Sequence, residues 1–89
     1  MMPIEAIGDL QRRLTEGLAK IDPHHRLLGR PVTYRVIDGR ALEITYRDVA
    51  GIADAEVLGV MRILGQDCSC SVSPQTAEQL TVRFVIPLR

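Results

Sequence analysis

Cys68 and Cys70 are separated by one residue, and His24 and His25 are adjacent. Thiols and imidazoles are the groups that bind zinc or carry redox and acid–base chemistry. The spacing counts against that use. Redox pairs usually hold two residues between their cysteines, and a structural zinc ion needs four ligands. Residues two apart on a strand share a face. Cys68 and Cys70 therefore read as small apolar core residues, reduced and without a mutual disulfide. His24-His25 follow Pro23 in a polar connector and read as an exposed loop, where a general-base role is open to either ring. A small enzyme or metal-binding protein using His24/His25 and Cys68/Cys70 is thus one alternative for this chain. No Gly-x-Ser-x-Gly segment, carboxylate pair or glycine-rich phosphate loop accompanies them. No catalytic, cofactor-binding or metal residue is assigned, and no cofactor is expected.

The elements that must position these residues follow from periodicity. Ile4, Ile7, Leu10, Leu14, Leu18 and Ile21 recur at spacings of three and four, which is one face of a helix. Pro3 suits its first turn, and Asp22-Pro23 ends it. Leu27 and Leu28 lie in the connector 24–30 and are placed against that helix. Val32, Tyr34 and Val36 alternate with polar positions, as do Leu42, Ile44 and Tyr46, around Asp38-Gly39. This is a β-hairpin pattern. A two-residue loop would set Tyr34 against Glu43 and put the apolar rows on opposite faces. A three-residue loop, Ile37-Asp38-Gly39, pairs Tyr34 with Leu42 and Val32 with Ile44, and it asks Gly39 for a left-handed conformation.

Val57, Leu58, Val60, Met61 and Leu64 predict a second helix over 53–64, with Asp48 or Asp54 as its cap and Gly65 closing it. Cys68, Cys70 and Val72 alternate with serines over 68–73, and a turn at 74–78 leads to a last strand bearing Leu80, Val82, Phe84, Ile86 and Leu88. That apolar row is the longest, so the last strand belongs in the middle of the sheet. The expected fold is α+β: one αββαββ domain over 1–89, a two-layer sandwich with a four-stranded antiparallel sheet and both helices on one face. The sheet would be ferredoxin-like, with one strand permuted.

The face away from the helices should then carry Thr33, Arg35, Ile37, Glu43, Thr45, Arg47, Ser69, Ser71, Ser73, Thr81, Arg83 and Val85. An antiparallel sheet can leave such a face in water or offer it to another chain. Strand 68–73 is the expected edge, and it lacks the lysines that blunt edges. Eleven basic residues balance eleven acidic ones. That balance places nucleic-acid binding last, because binders of nucleic acid carry a basic excess, and it favours self-association. Lys20 is the one lysine among the eleven basic residues; the rest are arginines, a residue favoured at protein contacts. No signal-peptide pattern and no long apolar run is present, so a cytoplasmic protein without membrane partners is expected.

The order of elements resembles the small αββαββ domains of pilus and type II secretion assembly-platform proteins. That resemblance covers residues 4–88 as a pattern, without the membrane helix of those families, and implies a non-enzymatic domain that dimerises. Ile21-Asp22-Pro23 followed by the hairpin, together with the Leu80–Phe84 strand, resembles the small effector subunits of multicomponent monooxygenases, which have no cofactor. The first strand of that family has no counterpart here. Neither resemblance transfers a functional residue. The leading expectation is a non-enzymatic protein–protein interaction module, homodimeric through a sheet edge or the open face, serving assembly, adaptor or regulatory roles.

Overall fold

The computed structural model describes residues 4–65 and 67–88, with backbone alone at 4–6. Pro3, expected in the first helical turn, lies outside the described residues. Helix α1 spans Ile4–Ile21 and helix α2 spans Asp54–Leu64. The strands are β1 (Val32–Ile37), β2 (Ala41–Val49), β3 (Ser69–Pro74) and β4 (Leu80–Pro87). They form one antiparallel sheet in the order β1-β2-β4-β3. The strand with the longest apolar row is therefore inside, and the serine-rich β3 is an edge, as their patterns require.

Burial follows the two periodicities. Leu10, Leu14 and Leu18 of α1 are buried together with Val60 of α2. They meet Leu42, Ile44, Tyr46, Val82 and Phe84 from the inner strands in one aliphatic core. Tyr46 and Phe84 touch edge to face, with ring centroids 6.3 Å apart, an arrangement that aromatic quadrupoles favour. Leu27 is buried from the connector. Ile21, the last of the apolar stripe, is exposed instead. It sits at the helix end, where Asp22 N–H still bonds the Leu18 carbonyl and Pro23 stops the run.

The first hairpin departs from expectation in register. Val36 faces Leu42, Tyr34 faces Ile44 and Val32 faces Tyr46. The three unpaired residues are Asp38, Gly39 and Arg40, not Ile37 to Gly39. Arg40 N–H closes on the Ile37 carbonyl at 2.9 Å, across Asp38 and Gly39 with φ of 53° and 66°. Two successive left-handed residues make the primed turn that matches strand twist, and Arg40 is the extra residue beyond it. A slip of two leaves every side chain on the same face, so the apolar surface forms as anticipated. Gly39→Ala should cost about 1 kcal/mol by urea denaturation, since a Cβ there meets no atom within 4 Å and only left-handed strain remains. Gly39→Asn should cost less, because asparagine tolerates that region.

Neither expected cap serves α2. Ala53 occupies the cap position, and Glu56 three residues on accepts its N–H at 2.9 Å. This is the back-reaching half of a capping box. Asp54 lies inside the first turn, where its charge suits the helix dipole. Gly65 does close the helix, donating to the Met61 carbonyl at 2.8 Å with φ 112°. Asp48 belongs to a bulge in β2 between Tyr46 and Val49, with φ 59°. The bulge inverts the alternation, so that Val49, opposite Leu80, is fully buried. The Asp48 backbone N–H donates to Gln75 Oε1 at 3.0 Å, Gln75 Nε2 donates to the Asp48 carboxylate at 2.5 Å, and the Thr81 hydroxyl donates to Gln75 Oε1 at 3.0 Å. These bonds latch the β3–β4 loop onto the bulge.

Candidate interaction face

The pleat sends the odd-numbered residues of all four strands away from the helices as far as the bulge. Across the sheet they form rows: Arg35, Glu43, Val85 and Ser69 in one, Thr33, Thr45, Arg83 and Ser71 in the next. Ser73 pairs with Thr81 at one end, and Ile37 with Ala41 at the other. Eleven of the twelve residues expected on this face are thus placed side by side. Arg47 falls in the irregular stretch at the bulge and is exposed.

Glu43 is the electrostatic centre of the face. Arg35 Nη2 lies 3.5 Å from one of its oxygens and Arg83 Nε 3.5 Å from the other. Its side chain is only 14% exposed, against 71% for Arg35. The two arginines shield the carboxylate, and Thr45 is buried beside it with its hydroxyl 3.4 Å from Glu43 Oε1. Pairs this exposed contribute little each, about 0–1 kcal/mol. Arg83 Nε, although within ion-pair distance, is out of line for a hydrogen bond and is buried without one. The cluster is fork-shaped with one net positive charge.

The histidines divide. His24 is exposed, but His25 is buried, contrary to the expected open loop. Its Nδ1 accepts the Leu27 N–H at 3.2 Å, so Nε2 carries the proton and donates to the Glu56 carbonyl at 3.0 Å. Both nitrogens are committed to backbone, which makes this ring a strut between connector and α2. Glu56 completes the strut: its carboxylate accepts the Arg26 N–H at 2.8 Å and lies 3.4 Å from Arg26 Nε. Burial pushes the Glu56 carboxyl upward. The N–H groups of Arg26 and Ala53, with the charge of Arg26, outweigh that and hold it below its usual range.

Cys68 is buried and Cys70 half-buried, both as free thiols. Burial, and then the neighbouring Cys70, pushes the Cys68 thiol up to about 11; burial also raises Cys70. A rise from 9.0 to about 11 leaves Cys68 with about a hundredfold less thiolate at neutral pH. Disulfide-reagent labelling of the native protein should therefore be much slower than in urea, and a native rate equal to the denatured one would refute the burial. Among the described residues, no group of three or more His, Cys, Asp or Glu could hold a metal ion. No helix among them is long and apolar enough to cross a membrane.

A second surface escaped sequence reasoning. Leu58 on α2 and Val72 on β3 are 52% and 45% exposed. With Val57, Cys70 and Asp54 they line a shallow apolar groove along the β3 edge. The signal was present: Val57 and Leu58 are consecutive, and one helix stripe cannot bury both. No protein-family model matches the chain, and neither do curated proteins or solved structures.

Proposed function

We propose that this chain is a non-enzymatic protein–protein interaction module whose first partner is a second copy of itself, acting as an assembly, adaptor or regulatory subunit. The observation that carries this reading is the β3 edge. Ser69–Pro74 pairs with β4 on one side, and on the other it meets no further strand among the described residues. Its residues are serines, Cys70 and Val72, with no charge to repel an added strand and with Pro74 blunting only its end. The apolar groove of Leu58 and Val72 runs beside it. Strand addition draws affinity from backbone bonds and specificity from such side pockets. Antiparallel pairing about Ser71 would set Cys70 of one copy opposite Val72 of the other, so apolar residues meet on the helix side and serines on the open face. The strand order is also that of a ferredoxin-like sheet whose first strand has moved to the chain's end, and we read the fold so.

Light scattering over a concentration series tests the proposal. The mass should double toward high micromolar protein, and Val72→Lys should stay monomeric with an unchanged circular dichroism spectrum, since Val72 is exposed. A wild-type mass that remains monomeric throughout would overturn the homodimer. A Val72→Lys protein that still dimerises would move the contact to the Arg35–Glu43–Arg83 face.

A further inference from the structure

At the far side of the sheet from β3, α1, the connector 22–31 and strands β1 and β2 enclose a partly open cavity of about 270 Å³. Leu18, Leu27, Leu28 and Val32 form its apolar walls. Tyr34 and Tyr46 also line it, and Arg30 stands among its lining residues. The Tyr34 hydroxyl is buried and has no hydrogen-bond partner among the described residues. A buried donor left unpaired costs roughly 1–3 kcal/mol, so native structures rarely keep one without a use.

We propose that this cavity is a binding site for a small organic carboxylate with a compact apolar body, such as a single ring or a short chain. The volume fits. A cavity of about 150 Å³ suffices for benzene, so about 270 Å³ admits a ring with its carboxyl group. The polarity fits as well. Among the described residues no acidic one lines the cavity, and Arg30 is its one permanently charged group. Among the described residues Arg30 has the Asp48 carbonyl oxygen as its partner at a long 3.4 Å, which leaves most of its donor fork for an anion. Burial raises the Tyr34 hydroxyl above its usual range, and burial raises Tyr46 as well, with ionisation beside Tyr34 disfavoured further. Both phenols therefore stay protonated at neutral pH, and the Tyr34 hydroxyl keeps a proton without a protein acceptor. Pockets of this kind, apolar with a few convergent polar groups, are how proteins orient small molecules.

The test is a two-dimensional NMR titration of the full chain with benzoate, and with benzyl alcohol as its uncharged counterpart. Benzoate should give saturable shifts at Leu28, Val32 and Tyr34, and should bind about tenfold more tightly than the alcohol. Tyr34→Phe removes only a hydroxyl without a protein partner, so it should melt no lower than wild type while binding benzoate about tenfold more weakly. Arg30→Gln should erase the preference for benzoate over the alcohol. Leu28→Trp should fill the cavity and abolish both titrations, which keeps a test available if Tyr34→Phe folds poorly. Shifts that fail to saturate, or equal benzoate affinity in wild type, Tyr34→Phe and Arg30→Gln, would overturn the proposal.

Discussion

Glu56→Ala is expected to lower the unfolding free energy by about 3 kcal/mol in urea at neutral pH. The carboxylate accepts two backbone N–H groups, from Ala53 and Arg26, and stands against the Arg26 guanidinium. Hydrogen bonds to a charged group contribute about 1.5–3 kcal/mol each, and truncation leaves both donors searching for water. The His25 bond to the carbonyl of the same residue is made to backbone and survives the substitution, so the loss is that of the carboxylate's own contacts. The acid side has a defined sign. The folded carboxyl titrates below the usual 4.5, so its contribution is complete above that value and is lost as the pH falls through the lowered one. Wild-type stability should thus decline below about pH 4.5. Glu56→Gln should be less stable at neutral pH and show a shallower acid decline. Equal acid slopes for the two proteins would disprove the assignment.

Phe84→Ala should cost about 4 kcal/mol, the largest effect of any single truncation proposed. Phe84 is fully buried at the centre of β4, opposite Ile44 on one side and Cys70 on the other. Its ring meets the edge of Tyr46. Emptying the site removes contacts from both hairpins at once, and a sheet centre has little freedom to collapse into the void. A domain of 89 residues has roughly 4–13 kcal/mol in total. The loss is about a third or more of that total, so the urea midpoint of the variant should fall by a comparable fraction. Phe84→Leu, which keeps most of the volume, should cost less than half as much. Equal midpoints for the two variants would show that the ring's packing is not what matters.

The parts of the fold that repeat were legible, and those that depend on one residue were not. Leu10, Leu14 and Leu18 announce α1 by spacing, and Val82 and Phe84 announce a central strand by alternation. The open face followed, since parity alone decides which side of a pleat a residue takes. Parity is also why the hairpin register slipped: registers two apart bury the same residues, so apolar pattern cannot separate them. The choice lay in Asp38 accepting a left-handed conformation, which composition does not disclose. The bulge at Asp48 inverts parity with a single residue, and its only trace was that Tyr46 and Val49, three apart, are both buried. His25 and Glu56 lie 31 positions apart, and no local pattern joins them. The Tyr34 cavity is legible least of all, because a hollow is made by what neighbouring elements fail to fill.

The order β1-β2-β4-β3 is a palindrome of hairpins, each presenting its second strand inward and its first outward. A pair of chains joined at β3 would end in β1 on both flanks, and β1 in turn is a strand with one free side. Were that side as permissive as β3, the pairs would concatenate into a ribbon without limit. Arg35 stands at the middle of β1, and its side chain is largely in solvent. Two β1 strands related by a two-fold axis at that position would bring Arg35 against its own copy, and like charges directly opposed across strands repel. In such an assembly one arginine on the outer strand would act as a terminator, limiting it to a closed pair where the bare geometry of the sheet would permit a fibre.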